Sequence, residues 1–382
     1  MAPVVEALRA RGSEAELRLA LTGQHSTLVD RALATFGLVP DYNLDIMREG
    51  QSLYDLADGC LNRLRDVVQD FLPDVLLVQG DTATVCFGAL VGYFEQLRVG
   101  HVEAGLRSHD KWAPFPEEAF RRIADAVSHW HFAPTAGAAA NLRAELGHPR
   151  MARAGSGPRN RIHVTGNTVV DALLRVAEST GEAKNAALGE ALASGRRLVL
   201  LTAHRRESFG EPLREVFRAV RRLADAREDV VVLYPVHPNP NVQAPAHELL
   251  SGHPRVCLTK PMDYLDLVTA LEYAALVLTD SGGIQEEAPT FGTPVLVLRE
   301  ITERPEGVEA GAAELVGTDG ERILERSLAV LDGEWSAPAV NPYGDGHAGV
   351  RIADILLAEL TGVPRTTEDL PDPGTGGRSP VA

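Results

Sequence analysis

Short apolar runs that end in a polar or glycine-bearing turn and lead into a helix-prone segment recur along the chain, and this alternation limits it to one fold class. A first series occupies residues 16–21, 74–78, 98–102, 130–133 and 162–165. A second occupies 197–202, 230–234, 256–259, 276–279 and 295–298. Short strands separated by helices are covered on both faces, which is the pattern of a parallel sheet. Two such series predict an α/β protein with two doubly wound, Rossmann-like domains over 1–180 and 181–340, the Ala-rich, helix-prone stretch 182–194 bridging them. Residues 341–346 form a turn cluster, and a last amphipathic helix near 350–360 lets segment 341–362 pack back on the first domain. The Pro-, Gly- and Thr-bearing tail, 363–382, reads as disordered.

Composition narrows the function. The 382 residues suffice for two cores, and 45% hydrophobic with 24% charged residues is the balance of a folded soluble protein. A formal charge of -16 argues against general binding to nucleic acid or anionic membrane, so any phosphate site must be local. Cys60, Cys86 and Cys257 lie far apart, which predicts reduced, buried thiols in a cytoplasmic protein. No apolar stretch reaches about 18 residues and no signal-peptide pattern is present, so membrane insertion is not expected.

The stretch 276–292, LVLTDSGGIQEEAPTFG, concentrates the chemistry. A strand that passes through Ser281-Gly282-Gly283 into a helix directs backbone N–H groups at one spot, with the helix dipole behind them, which suits a phosphate. Glu286 and Glu287 follow one turn later, where a carboxylate can accept from ribose hydroxyls. A plain capped helix after a strand explains the same residues, with Ser281 as N-cap. In open parallel sheets ligands bind beyond the carboxyl ends of the strands, and Asp81, Glu103, His204 and Ser281 fall there, with Glu117 opening a nearby helix. Facing domains would gather these groups in a cleft suited to proton transfer. Singly, Asp81 can cap a helix, Glu103 can pair with Arg107, and Glu117 can favour a helix start. Arg304 follows a strand and can reach a phosphate or a base edge. His129 and His131 flank Trp130 without the carboxylate or cysteine that would complete a zinc pattern, so no metal is expected. Walker, nucleophile-elbow and dinucleotide glycine motifs are absent.

Taken together, the ordered motifs Gln79-Gly80-Asp81-Thr82, His101 through Arg107, Pro116-Glu117-Glu118 with Arg121, Thr165 through Thr168, His204 through Phe209, Pro235-Val236-His237, Asp280 through Pro289, Thr302 through Glu306 and Asn341 through Gly346 carry a resemblance. Across about residues 2–360 the chain resembles the bacterial non-hydrolysing UDP-N-acetylglucosamine 2-epimerases. That resemblance implies a glycosyltransferase-B-like fold with the active site in the interdomain cleft and a homodimer. It also implies a role in cell-wall polysaccharide biosynthesis and interconversion of UDP-GlcNAc and UDP-ManNAc without a cofactor. By position, Asp81, Glu103, Glu117 and His204 become the acid–base and catalytic set. Ser281, Gly282 and Gly283 become the diphosphate cradle, Glu287 the ribose contact and Arg304 a nucleotide or phosphate contact. Gln24, Arg205 and His237 match positions where some relatives bind activating UDP-GlcNAc, but Thr27 and Gly50 replace a Gln and an Arg of the activated type, which leaves activation open.

The chain also departs from the family pattern. A helix over residues 2–10 comes first, where relatives carry a strand, a Gly-Thr-Arg-Pro-Glu loop and a Lys before Met-Ala-Pro. The expectation is that the natural protein has roughly another 15 residues, and that their loss impairs catalysis, since one transition-state donor is typically worth on the order of 10²–10³ in rate. The alternatives are a hydrolysing epimerase, a glycosyltransferase on the same fold, and a catalytically impaired UDP-sugar-binding protein.

Overall fold

The computed structural model describes residues 1–23, 33–48, 50–146, 161–178, 183–338 and 340–371. They separate into two compact units: Met1–Asp171 joined by residues 344–371, and Ala172–Tyr343.

In chain order the first unit has α1 (Ala2–Ala10), β1 (Ala20–Leu21), β2 (Tyr42–Asn43), α2 (Leu53–Phe71), β3 (Val75–Gln79), α3 (Ala83–Phe94), β4 (Arg98–Val102), α4 (Glu117–Val127), β5 (Trp130–Ala133), α5 (Ala136–Leu146), β6 (Arg161–Val164) and the start of α6 (Thr168–Ala177). Strands β3-β4-β5-β6 form a parallel sheet in that order, and β1 with β2 forms a separate parallel pair. The first strand is thus two residues long, not the six its composition suggests. Helix α2 begins with a capping box, in which Ser52 and Asp55 satisfy each other's amides, and it buries Cys60, Leu64 and Val68 at four-residue intervals.

The second unit continues with α7 (Ala186–Ala193), β7 (Arg197–Thr202), α8 (Glu211–Ala226), β8 (Val230–Pro235), α9 (Pro240–Leu250), β9 (Val256–Thr259), α10 (Tyr264–Tyr273), β10 (Ala274–Thr279), α11 (Gly282–Glu287), β11 (Val295–Val297), α12 (Pro305–Glu309), β12 (Ala313–Leu315) and α13 (Gly320–Leu331). Its six parallel strands run β12-β11-β10-β7-β8-β9. Leu213, Phe217, Val220 and Leu223 of α8 pack on one face, and Leu188 of α7 with Ala270 and Leu271 of α10 on the other. The order reverses between β7 and β10, so the turns after these two strands sit at a topological switch point, where doubly wound sheets bind ligands.

Helix α14 (Ala348–Thr361) returns to the first unit, where Ile352, Ile355 and Leu356 share a core with Val4 and Leu8 of α1 and with Val102, Trp130 and Phe132. The segment after it corrects the reading of 363–382 as disordered, as far as residue 371. Asp354 accepts from the amides and hydroxyls of Thr366 and Thr367, Asp369 accepts from the Val164 amide at 3.0 Å, and the Leu370 amide donates to the Val164 carbonyl at 2.7 Å. The order comes from polar anchors, which leave no periodic trace in a sequence; residues 372–382 lie outside the described residues. All three cysteines are free, Cys60 and Cys86 buried and Cys257 half-buried.

Candidate active site

Asp280 is the first residue beyond β10 and is almost wholly buried. Its Oδ2 accepts from the amides of His204 (2.7 Å) and Arg205 (2.8 Å), which follow β7, so one carboxylate ties both turns of the switch point together. His204 Nδ1 lies 3.1 Å from Asp280 Oδ1, within ion-pair distance though not aligned as a hydrogen bond. Burial pushes the Asp280 carboxyl up, but His204 and the two amides outweigh it and hold it below the usual range. The His204 ring stacks on His237, with centroids 5.4 Å apart. Burial, with His204 adding to it, lowers the His237 pKa. Both rings line a pocket of about 230 Å³ whose other walls include Pro235, Met262, Leu267, Ser281 and Ile284.

Beside it, Ser281 occupies the N-cap position without a side-chain cap bond, and α11 lasts only six residues before tightening to a 3₁₀ turn over Ala288–Phe291. The dipole expected behind the glycine turn is therefore short. Fixed cations supplement it: a Cβ on Gly282 would lie 3.1 Å from the guanidinium carbon of Arg304. Arg304 pairs with Glu286 (2.7 Å) and Glu303 (3.1 Å), and Glu303 also receives Arg299 (2.6 Å) and Arg205 (3.3 Å). Burial opposes ionisation of Glu303, yet Arg304, its own backbone amide and Arg299 bring its pKa down to about 2. Tyr343 braces the loop by accepting from the Gly307 amide (2.9 Å) and donating to the Arg304 carbonyl (3.1 Å). Asn341 donates to the Glu286 carbonyl (2.8 Å).

Glu286 is engaged by Arg304, whereas Glu287, the other carboxylate of α11, faces a tyrosine. The Tyr264 hydroxyl lies 3.4 Å away and donates to Glu287. Burial, reinforced by the Glu286 charge, raises the Glu287 pKa to about 7. A carboxyl raised on folding costs nothing at low pH, where both states are protonated. The cost grows as pH rises from the unfolded value towards about 7, and is constant above that. It amounts to on the order of 3 kcal/mol. Glu287→Gln should therefore stabilise the protein by up to that amount at pH near 8 and leave it unchanged near pH 4. Thermal unfolding at the two pH values checks this.

In the first unit, β3 ends in the Gly80 turn (φ +85°), and Asp81 follows with its Oδ2 2.6 Å from Arg121 Nη2. Arg121 also contacts Glu118 (3.2 Å), which is fully buried and accepts in addition from Arg122 Nε (2.9 Å) and the Ser108 amide (3.0 Å). Thr82, not Asp81, occupies the helix N-cap. Glu103 adopts φ +65°, a left-handed conformation uncommon for a glutamate and typical of strained functional positions. Its Oε2 would lie 3.8 Å from a Cβ on Gly80, so its carboxylate leans over the turn that leads to Asp81. Arg107 pairs with Asp125 (2.8 Å) and Glu145 (2.7 Å). Glu117, half-buried, opens α4, the helix that carries Arg121 one turn later.

The structure thus groups Asp81 and Glu103 around one turn, with Glu117 on the helix that holds Asp81. In the second unit it groups His204, Arg205, His237, Ser281, Gly282 and Arg304 at the switch point, with Gly283 and Glu287 on the same short helix. Gln24 lies outside the described residues. Glu303, Tyr264 and the hub role of Glu118 escape sequence reasoning, because each depends on partners brought together by the fold.

The chain matches the family model for UDP-N-acetylglucosamine 2-epimerase over residues 6–357. It is 42% identical over 365 residues to the UDP-N-acetylglucosamine 2-epimerase of Salmonella typhimurium, with 93% of this chain and 94% of that one covered. The corresponding enzyme of Bacillus subtilis is 43% identical over 362 residues, covering 94% and 91%. Among solved structures, the UDP-GlcNAc 2-epimerase of Neisseria meningitidis bound to UDP-GlcNAc is similar with a TM-score of 0.80 at 38% identity, covering 94% of this chain and 95% of that one.

Proposed function

The chain belongs to the UDP-N-acetylglucosamine 2-epimerase family, and we propose that it interconverts UDP-GlcNAc and UDP-ManNAc by eliminating UDP to 2-acetamidoglucal and adding it back. Its two Rossmann-like units are of the glycosyltransferase-B-like class. The observation that carries the reading is the switch point of the second unit, where Asp280 fixes His204 beside the Ser281-Gly282 turn and Arg304 covers that turn.

The C2 proton has no adjacent carbonyl, so its removal needs a good leaving group on C1. As a carboxylate takes the C2 proton, the C1–O bond breaks and its electron pair leaves with UDP, forming the C1–C2 double bond. Return of a proton to the opposite face of C2 and of a UDP oxygen to C1 gives the epimer. Asp81, Glu103 and Glu117 handle the two proton transfers, for which carboxylates on distinct elements give access to distinct faces. Backbone amides of Ser281, Gly282 and Gly283, with Arg304, hold the diphosphate and stabilise its growing charge. His204 acts beside the departing diphosphate, and Glu287 receives the ribose hydroxyls. Arg205 and His237 adjoin His204, so a second UDP-GlcNAc acting through them would act on the catalytic histidine directly.

The enzyme works in the cytoplasm, a placement its free thiols support, as a homodimer that supplies UDP-ManNAc for cell-wall polysaccharide. Sedimentation equilibrium, against a chain mass of 41.0 kDa, tests the dimer. Proton NMR of UDP-GlcNAc in deuterated water tests the chemistry: UDP-ManNAc should appear with deuterium at C2 and without any acceptor. Free ManNAc with UDP would instead mark a hydrolase, a requirement for an acceptor would mark a glycosyltransferase, and calorimetric binding without exchange would mark a UDP-sugar-binding protein.

A further inference from the structure

His101, on β4 two residues before Glu103, is completely buried and has a hydrogen-bond acceptor at each ring nitrogen. Nε2 lies 2.8 Å from the Gly80 carbonyl oxygen, and Nδ1 lies 2.7 Å from Oδ1 of Asp125 on α4. A carbonyl can only accept, so Nε2 carries a hydrogen. Asp125 is kept ionised by Arg107, whose Nη2 donates to its other oxygen at 2.8 Å, so Nδ1 carries a hydrogen as well. Burial works against both charges, but the pair prevails: the imidazole pKa is raised, and that of Asp125 falls to about 2.

We propose that His101 is a positioning residue, a doubly protonated clamp whose two N–H groups tie the Gly80-Asp81 turn to α4 and thereby set where the Asp81 carboxylate stands. The proposal rests on the epimerase reading in taking Asp81 as a proton-handling group. The turn is gripped from both sides, since the Gly80 amide donates to the Val102 carbonyl at 3.1 Å while its carbonyl accepts from His101. Asp81 then meets Arg121, which stands on the same helix as Asp125. The clamp and the ion pair therefore share one rigid support, and turn and helix cannot drift apart without breaking one of them.

The other charged or titratable groups around the ring suit a cation. Glu103 faces it from the loop after β4, and Arg107 is shared with Glu145 of α5. His131 of β5 donates from Nε2 to the Asp125 carbonyl at 2.8 Å, and burial lowers its pKa and keeps it neutral. Two cations thus stand against Asp125 and Glu145.

Two isosteric variants separate positioning from charge compensation. The Gln amide nitrogen reaches the place of Nε2 and keeps the Gly80 bond, whereas that of Asn reaches the place of Nδ1 and keeps only the Asp125 bond. His101→Asn should lower kcat by roughly 10- to 100-fold at unchanged KM and unchanged UDP affinity, while His101→Gln stays within about 5-fold of the parent. Equal losses, the reverse order, or losses that track the melting temperature would overturn the positioning role. Independently of activity, nitrogen-15 NMR of the parent protein, assigned by the signal lost in His101→Gln, should show both ring nitrogens protonated at pH values where an ordinary imidazole is already neutral. A singly protonated ring at those pH values would overturn the clamp. Failure of the parent to form UDP-ManNAc would instead remove the epimerase reading, and the positioning role with it, while the NMR result would still decide the protonation state.

Discussion

Asp81→Asn should lower kcat by on the order of 10²–10⁴-fold while leaving UDP affinity within about twofold. Asparagine matches the shape of aspartate and can still accept from Arg121, but it cannot take a proton. Arg121 keeps a charged partner in Glu118, 3.2 Å away, so the local ion pairs survive and the fold should too. UDP is held by the second unit in our reading, so its calorimetric affinity reports on folding and nucleotide binding independently of proton transfer. Deuterium exchange at C2 is the sharpest readout, because it records proton removal even where the epimer does not accumulate. Exchange that persists in the variant would reduce Asp81 to an anchor for Arg121. Glu103→Gln and Glu117→Gln, compared in the same assay, would then identify the group that removes the proton.

Gly105→Ala is expected to be the most damaging single methyl group in the first unit, at about 3 kcal/mol or more of stability. Gly105 has φ +86°, where an L side chain is strained. A Cβ there would also come within 2.3 Å of the Ala138 carbonyl and 2.8 Å of Leu142 on α5. A backbone carbonyl cannot rotate aside, and the Gly105 carbonyl is itself held by Asn141 at 3.0 Å. The loop from Glu103 to Arg107 would have to lift off α5, taking Arg107 from Glu145. Chemical denaturation should show a lower midpoint with an unchanged slope. A variant as stable as the parent would mean that α5 can shift freely.

The strand ends were legible because apolar runs of fixed length leave little freedom over where a parallel strand stops, and the residue after the stop is the one a ligand meets. His204 and the Asp280-Ser281-Gly282 turn were found this way, and the order of the sheet then placed them side by side. Helix α5, against which Gly105 packs, was missed because its sequence, AGAAANLRAEL, offers almost no contrast between an apolar and a polar face. Spacing also could not tell which of the adjacent Glu117 and Glu118 points inward. The structure buries Glu118 completely among Arg121, Arg122 and the Ser108 amide and leaves Glu117 half-buried. Glu303, likewise, acquires its full set of partners only when Arg205, 98 residues away in sequence, joins its near neighbours Arg299 and Arg304.

The strap from Thr366 to Leu370 has a consequence for solubility. An outer strand with unsatisfied backbone groups invites pairing with a stranger's chain, and here Asp369 and Leu370 occupy those groups on Val164. Because threonine and aspartate contacts do most of the fastening, this guard can peel away while the helices beneath it keep their packing. The first damage to such a protein would then show as self-association of otherwise intact molecules, ahead of any loss of helix.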